Sequence, residues 1–190
     1  AQAAPAEETH GFIIFIRGAA VGREDLTTRR GPEGLVISGR GRVAPPLDTV
    51  THSAEVRYNA DGTPLSLAVD ATVQGHTVTI RTTFQGTQAL SVTTEHDRKV
   101  SETHKVSAKT TVVPNLFFGT YEALAGRLVN AAVGNEFPAY VAPQLEIPVR
   151  VRAIYNESVQ AGSSVFPVRR YEIGVANPGG DVVMHLTGDA

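Results

Sequence analysis

One stretch of this 190-residue chain carries a helical period, and nearly everything around it alternates. Between Pro114 and Ala132, Phe117, Tyr121, Leu124 and Leu128 recur at spacings of four, three and four, with Thr120, Ala125 and Ala132 beside them. That is the apolar stripe of an amphipathic helix. Pro114 suits its start, and Gly134-Asn135 supplies a stop. The outer positions Glu122, Arg127 and Asn130 are only mildly polar, so the helix is expected to lie largely covered. With no second helix to cover it, strands must. The fold class expected is therefore mainly β: a curved antiparallel sheet or open barrel wrapped around one central α-helix.

The strands are read from period-2 alternation. The run Phe12-Ile13-Ile14-Phe15-Ile16, within His10 to Arg17, is apolar on both faces and is expected to be buried on both sides. A second strand runs from about Val21 through Thr28, and a third from Leu35 to Val43, stopped by Ala44-Pro45-Pro46. A meander follows: Thr49 to Tyr58, the Asn59-Ala60-Asp61-Gly62 turn, then strands from Leu65 to Val73 and Val78 to Phe84. Gln88 to Glu95 and Lys99 to Lys109 continue it. Beyond the helix, strands are expected at Gln144 to Ser158, Val165 to Ala176 and Asp181 to Thr187, with Asn177-Pro178-Gly179-Gly180 a turn. A sheet ending near Met184-His185-Leu186 presents an edge, so either another segment is expected to cover it or the chain is expected to be a piece of a longer one.

Hydrophobic residues make up 42% of the chain, enough for one core. Residues 1–8 are expected to form a flexible mature N-terminus and 9–190 a single β-rich domain. A net charge of -2 gives no basic excess with which to hold phosphate backbones, so nucleic acid is not an expected partner. No apolar run approaches the roughly 20 residues of a membrane-spanning helix. There is no cysteine, which excludes disulfides, thiolate metal sites and a cysteine nucleophile. The small, Ala/Pro-rich start Ala1-Gln2-Ala3-Ala4-Pro5-Ala6-Glu7-Glu8 is like the residues following a secretory cleavage site. A periplasmic or secreted bacterial protein is the expectation.

The chain contains no GxSxG elbow, HExxH, P-loop or GxGxxG. The polar residues that draw attention sit on apolar strand faces. Val50, His52, Ala54, Val56 and Tyr58 share one parity, and Val100, Glu102, His104, Val106 and Ala108 another. If both faces point inward, His52, Glu102 and His104 meet, and such a trio suits general acid–base work or metal ligation. The competing reading places them at strand ends or on a solvent face. His10, His76, His96 and His185 read as surface residues. Arg40 and Arg42 point the same way, as do Arg150 and Arg152, while Arg29-Arg30 and Arg169-Arg170 are adjacent. Arg40 and Arg42 are candidates for gripping an anion. Equally, such arginines fit an exposed face with ion pairs to Glu55, Asp70, Glu146 or Glu172. Phe117, Tyr121, Leu124 and Leu128 either line a cleft for an apolar small molecule or lipid, or simply fill the core. No metal or other cofactor is called for.

Several runs carry a resemblance: Ile37-Ser38-Gly39-Arg40-Gly41-Arg42, Ala54-Glu55-Val56-Arg57-Tyr58 with Asp61-Gly62-Thr63-Pro64-Leu65, Pro114 to Ala125, and Pro138-Ala139-Tyr140-Val141-Ala142-Pro143. Over most of its length the chain resembles the β-rich N-terminal region, of unknown function, found ahead of α/β-hydrolase domains in some exported bacterial proteins. It is more distantly similar to periplasmic lipoprotein-carrier domains. The resemblance implies that any catalysis belongs to a downstream or partner hydrolase domain, and it carries over no catalytic residue. The expected function is a non-catalytic accessory or binding domain of the cell envelope, holding an apolar ligand or packing on such a partner. The alternatives are an enzyme using His52, Glu102 and His104, and a structural domain that assembles through an exposed sheet edge.

Overall fold

The computed structural model describes residues 6–16, 18–175 and 182–189. Ala1–Pro5 and the expected Asn177–Gly180 turn lie outside the described residues. Eight strands form a large antiparallel meander in sequence order: β1 (Ala6–Ile16), β2 (Ala19–Gly31), β3 (Gly34–Val43), β4 (Thr49–Tyr58), β5 (Pro64–Val73), β6 (His76–Gln85), β7 (Gln88–Glu95) and β8 (Arg98–Lys105). The small sheet contains β9 (Thr111–Val112), β10 (Glu136–Val141), β11 (Leu145–Ala161), β12 (Ser164–Val175) and β13 (Val182–Asp189), ordered β13-β12-β11-β10-β9. It curls into a half-barrel. A 3-10 turn, Phe118–Thr120, leads into the helix α1 (Tyr121–Leu128). Because that helix carries the chain back between β9 and β10, those two strands pair in parallel, and every other ladder is antiparallel.

The helix sits between two core clusters. Ala123 packs with the inner face of the large sheet, among Leu26, Ile37, Val56, Leu67 and Val69. Leu124 and Leu128 pack with Val149, Val151, Tyr171 and Ile173 of the small sheet. The chain before the helix thus covers mainly one side and the chain after it mainly the other. The helix is shorter than its stripe. Phe117 is extended (φ -154, ψ 112), so its ring enters the large-sheet cluster before the helix starts.

Three expectations need correction. Ala6 to Glu8 are not loose but pair with Arg30 to Thr28. β1 is not buried on two sides. It is the outer strand of the large sheet, with Ile13 62% and Phe15 61% exposed, and none of its residues joins either core cluster. An apolar run reports affinity for burial, and here neither helix nor small sheet reaches far enough to provide it. Third, β10 is a strand in a segment where none was expected, ahead of the first post-helix strand expected at Gln144. Pro138 lies opposite Pro148. β9 meets β10 only at Ala139 and Tyr140, and β12 meets β11 only from Val149 onward. Neither proline therefore faces a third strand that would need its missing N–H.

Candidate functional site

The expected trio divides. The ladder between β4 and β5 slips between Thr51 and Ser53, so the strand holds one extra residue there. Thr49 and Thr51 point inward before the slip, and Ala54, Val56 and Tyr58 after it. His52 falls on the outer face, exposed and hydrogen-bonded through Nε2 to Thr72 Oγ1 at 2.9 Å. A bulge reverses the faces assigned by counting from Val50, and His52 is thereby removed from any inner cluster.

Glu102 and His104 do lie on the inner face, where β8 climbs out of the core from buried Val106 to exposed Val100. They begin a polar chain. Glu102 Oε2 is 3.9 Å from His104 Nε2, and His104 Nδ1 is 2.7 Å from the Tyr140 hydroxyl. That hydroxyl is 3.0 Å from Ser91 Oγ, which is 2.8 Å from Thr82 Oγ1. The Phe84 ring meets Tyr140 edge-on at 5.8 Å. Burial pushes the Tyr140 hydroxyl above its ordinary pKa against an opposing hydrogen bond from Ser91, and the Glu102 charge adds to the rise. The phenol therefore stays protonated. Chemically, the chain satisfies a buried hydroxyl and connects it to a half-buried imidazole and an exposed carboxylate. Its nucleophile candidates are sealed: Ser91 is 2% exposed and Tyr140 0%.

A second buried polar group, Glu24, was not singled out in the sequence. Its carboxylate accepts the Phe118 N–H at 3.0 Å and the Gly119 N–H at 2.8 Å, anchoring the 3-10 turn before α1 to β2. Burial raises its pKa more than these two bonds lower it. The signal was present: Glu24 shares parity with buried Leu26 and Thr28. The same spot explains the Gly39-Arg40-Gly41-Arg42 motif. A Cβ at Gly39 would sit 2.4 Å from the Asp25 carbonyl oxygen and 2.7 Å from Phe117 Cζ, and one at Gly41 2.4 Å from Glu24 Cγ. The glycines make room inside, while Arg40 and Arg42 project outward. Both arginines are exposed, opposite Asp25 and Arg23 respectively. Arg23 holds Asp25 at 2.8 Å, and among the described residues Arg40 and Arg42 form no ion pair.

The remaining arginines are placed individually. Arg150 lies 3.9 Å from Glu136, Arg170 holds Glu157 and covers the Tyr155 ring, and Arg169 donates to the Val129 carbonyl. Glu55 and Asp70 pair with Arg57 and Arg81. Glu146 instead accepts the Ser107 backbone N–H and hydroxyl.

Phe117, Leu124 and Leu128 have no exposed surface, and Tyr121 is half-buried against the Phe118 ring. The hollow beside the helix is lined by other residues, Arg30, Tyr58 and Arg127 among them. His76 and His96 come together unexpectedly, their ring centroids 4.0 Å apart. His76 opens β6 and His96 lies in the turn after β7, at one end of the meander, and their 20-residue separation matches two strands of eight to ten residues with their turns. Among the described residues, no three His, Asp or Glu side chains are grouped to hold a metal ion, and no helix is long and apolar enough to cross a membrane.

The fold and its polar sites define a β-rich domain of two sheets clasping one helix. Compared with protein-family models, curated proteins and solved structures, the chain matches none.

Proposed function

We propose that the protein is a non-catalytic interaction domain of the bacterial cell envelope that joins other chains along the β1 edge of its large sheet. The observation that carries this reading is the bare apolar run on that edge. Phe12, Ile13 and Phe15 are exposed in a strand with one side of its backbone unpaired. Exposed edges are ordinarily protected by charge, and the opposite edge is, since β8 carries Arg98, Lys99, Glu102 and Lys105. On β1 the charged residues stop at Glu8, before the apolar run begins. A strand added there gains main-chain hydrogen bonds and covers apolar surface on both faces.

Two further observations support a binding rather than a catalytic role. Ser91 and Tyr140 are closed to substrate. The helix stripe is packed on both sides, which also leaves less support for an apolar guest beside Phe117, Leu124 and Leu128.

In the purified protein the occupant of the edge is a second copy, with β1 paired to β1. Analytical ultracentrifugation is expected to show a weight-average mass rising with concentration above the 20.2 kDa of one chain. Ile13→Lys places a charge in the new interface and should hold the protein at monomer mass. A wild-type protein that stays monomeric across the range overturns the reading.

A further inference from the structure

A groove of about 310 Å3 runs between α1 and two hairpin turns of the large sheet, with Arg30, Tyr58, Gly62, Gly126 and Arg127 in its lining. Its charges do not cancel. Arg30 is held by Glu122 at 3.2 Å, and Lys109 lies 4.0 Å from Asp61. Arg127 is different: it donates to the carbonyl oxygens of Lys109, Gly62 and Thr110. Among the described residues no carboxylate is paired with it. Carbonyl dipoles orient a guanidinium but leave its full charge uncompensated, and burial lowers the Arg127 pKa, which shows the surroundings working against that charge.

Gly126 supplies a second, independent observation. It lies inside an eight-residue helix, where glycine is disfavoured relative to alanine. A Cβ there would meet nothing within 4 Å, so no neighbour excludes a side chain. The missing side chain keeps the groove open beside Arg127.

We propose that this groove binds a small organic anion, whose carboxylate or phosphate group meets Arg127 while its compact body lies over Gly126. Arg127 retains N–H donors beyond those bonded to the carbonyls, and a guanidinium matches either anion in shape.

The test is a titration of 15N-labelled protein with sodium benzoate and, separately, inorganic phosphate, at constant ionic strength. Saturable shifts of the Gly62 and Gly126 amide resonances are expected with at least one probe. Saturation by benzoate alone assigns a carboxylate with an apolar body, and by phosphate alone a phosphate group. Arg127→Gln should weaken binding about tenfold or more, the scale of a lost charge-assisted hydrogen bond. Since Arg127 also ties three carbonyls together, Gly126→Leu is the companion variant. It fills the groove, keeps the charge and favours the helix, and should weaken binding as much, read at Gly62. Linear, unsaturating drift with both probes, or wild-type affinity in Gly126→Leu, overturns the proposal.

Discussion

Strands β3 and β1 lie two places apart in one sheet, yet similar side chains meet opposite surroundings there. On β3, Ile37 has no exposed surface, and Gly39 has no room for a single methyl group. On β1, Ile13 and Phe15 stand mostly in water. Neither propensity nor hydrophobicity separates the two. What separates them is coverage: Phe117 and the start of α1 press on β2 and β3, and nothing described presses on β1. The stability of this sheet should therefore be concentrated under the helix and fall away toward the edge, and substitutions can break or sharpen that contrast.

The largest effect is expected at the seam itself. Phe117→Ala removes a fully buried ring from the large-sheet cluster and should cost about 3–5 kcal/mol, read by chemical denaturation. Gly39→Ala pushes a methyl group against the same ring and the Asp25 carbonyl, and should cost about 1–3 kcal/mol through overpacking. If the ring is the principal obstacle, the double variant will lose less than the sum of the two, as for residues in contact. Strict additivity would show that the backbone contact to Asp25 sets the glycine requirement alone.

Next in size is the carboxylate beneath the helix start. In Glu24→Gln the amide oxygen can accept only for one side of the former carboxylate, and its NH2 confronts the second backbone N–H. The expected loss is about 1–3 kcal/mol. Its pH dependence has a definite sign. Burial holds the folded-state pKa of Glu24 above its ordinary carboxylate value, so between the two values the folded state binds more protons than the unfolded. Stability contributed by this titration is present below the unfolded pKa and declines as pH rises through the folded one. The stability difference between wild type and Glu24→Gln should shrink as pH is raised from about 4 toward neutrality. A difference that grows over that window would mean the two N–H bonds outweigh burial.

Much of this architecture could be read from the chain because its signals are local. The strands at Thr49–Tyr58 and Gln88–Glu95 fall where alternation and turn residues put them. The helix stripe of Leu124 and Leu128 is buried as its period requires. The site was less legible, for reasons that belong to tertiary structure. One extra residue near His52 turns that imidazole to the outer face, and alternation carries no mark of a bulge. Alternation left open whether His104 and Glu102 face the core or solvent, and the His104 partner Tyr140 comes from a strand that no alternation marks, with Pro138 in it. Gly39 and Gly41 carry no functional signal in the sequence, and only the fold shows the Phe117 ring and Glu24 filling the space their side chains would need. Coverage of β1 was illegible in principle, since it depends on how far elements distant in sequence extend.

The smallest effect on stability is expected where the apolar residues are most conspicuous. Ile13 lies opposite Arg23 and is 62% exposed. Replacing it by lysine removes little packing, because little exists in the single chain, and a lysine stem can lie over the same neighbours with its charge in water. Measured where the protein is monomeric, Ile13→Lys should change unfolding free energy by no more than about 0.5 kcal/mol. At concentrations where wild-type chains associate, the same variant should fall behind, since only the wild type gains from mass action. Those two arms distinguish an edge that waits for another strand from one already engaged within its own chain. A loss of about 2 kcal/mol or more in the monomer would be the size expected for a core side chain. It would place β1 in the same class as β3 and erase the contrast between them.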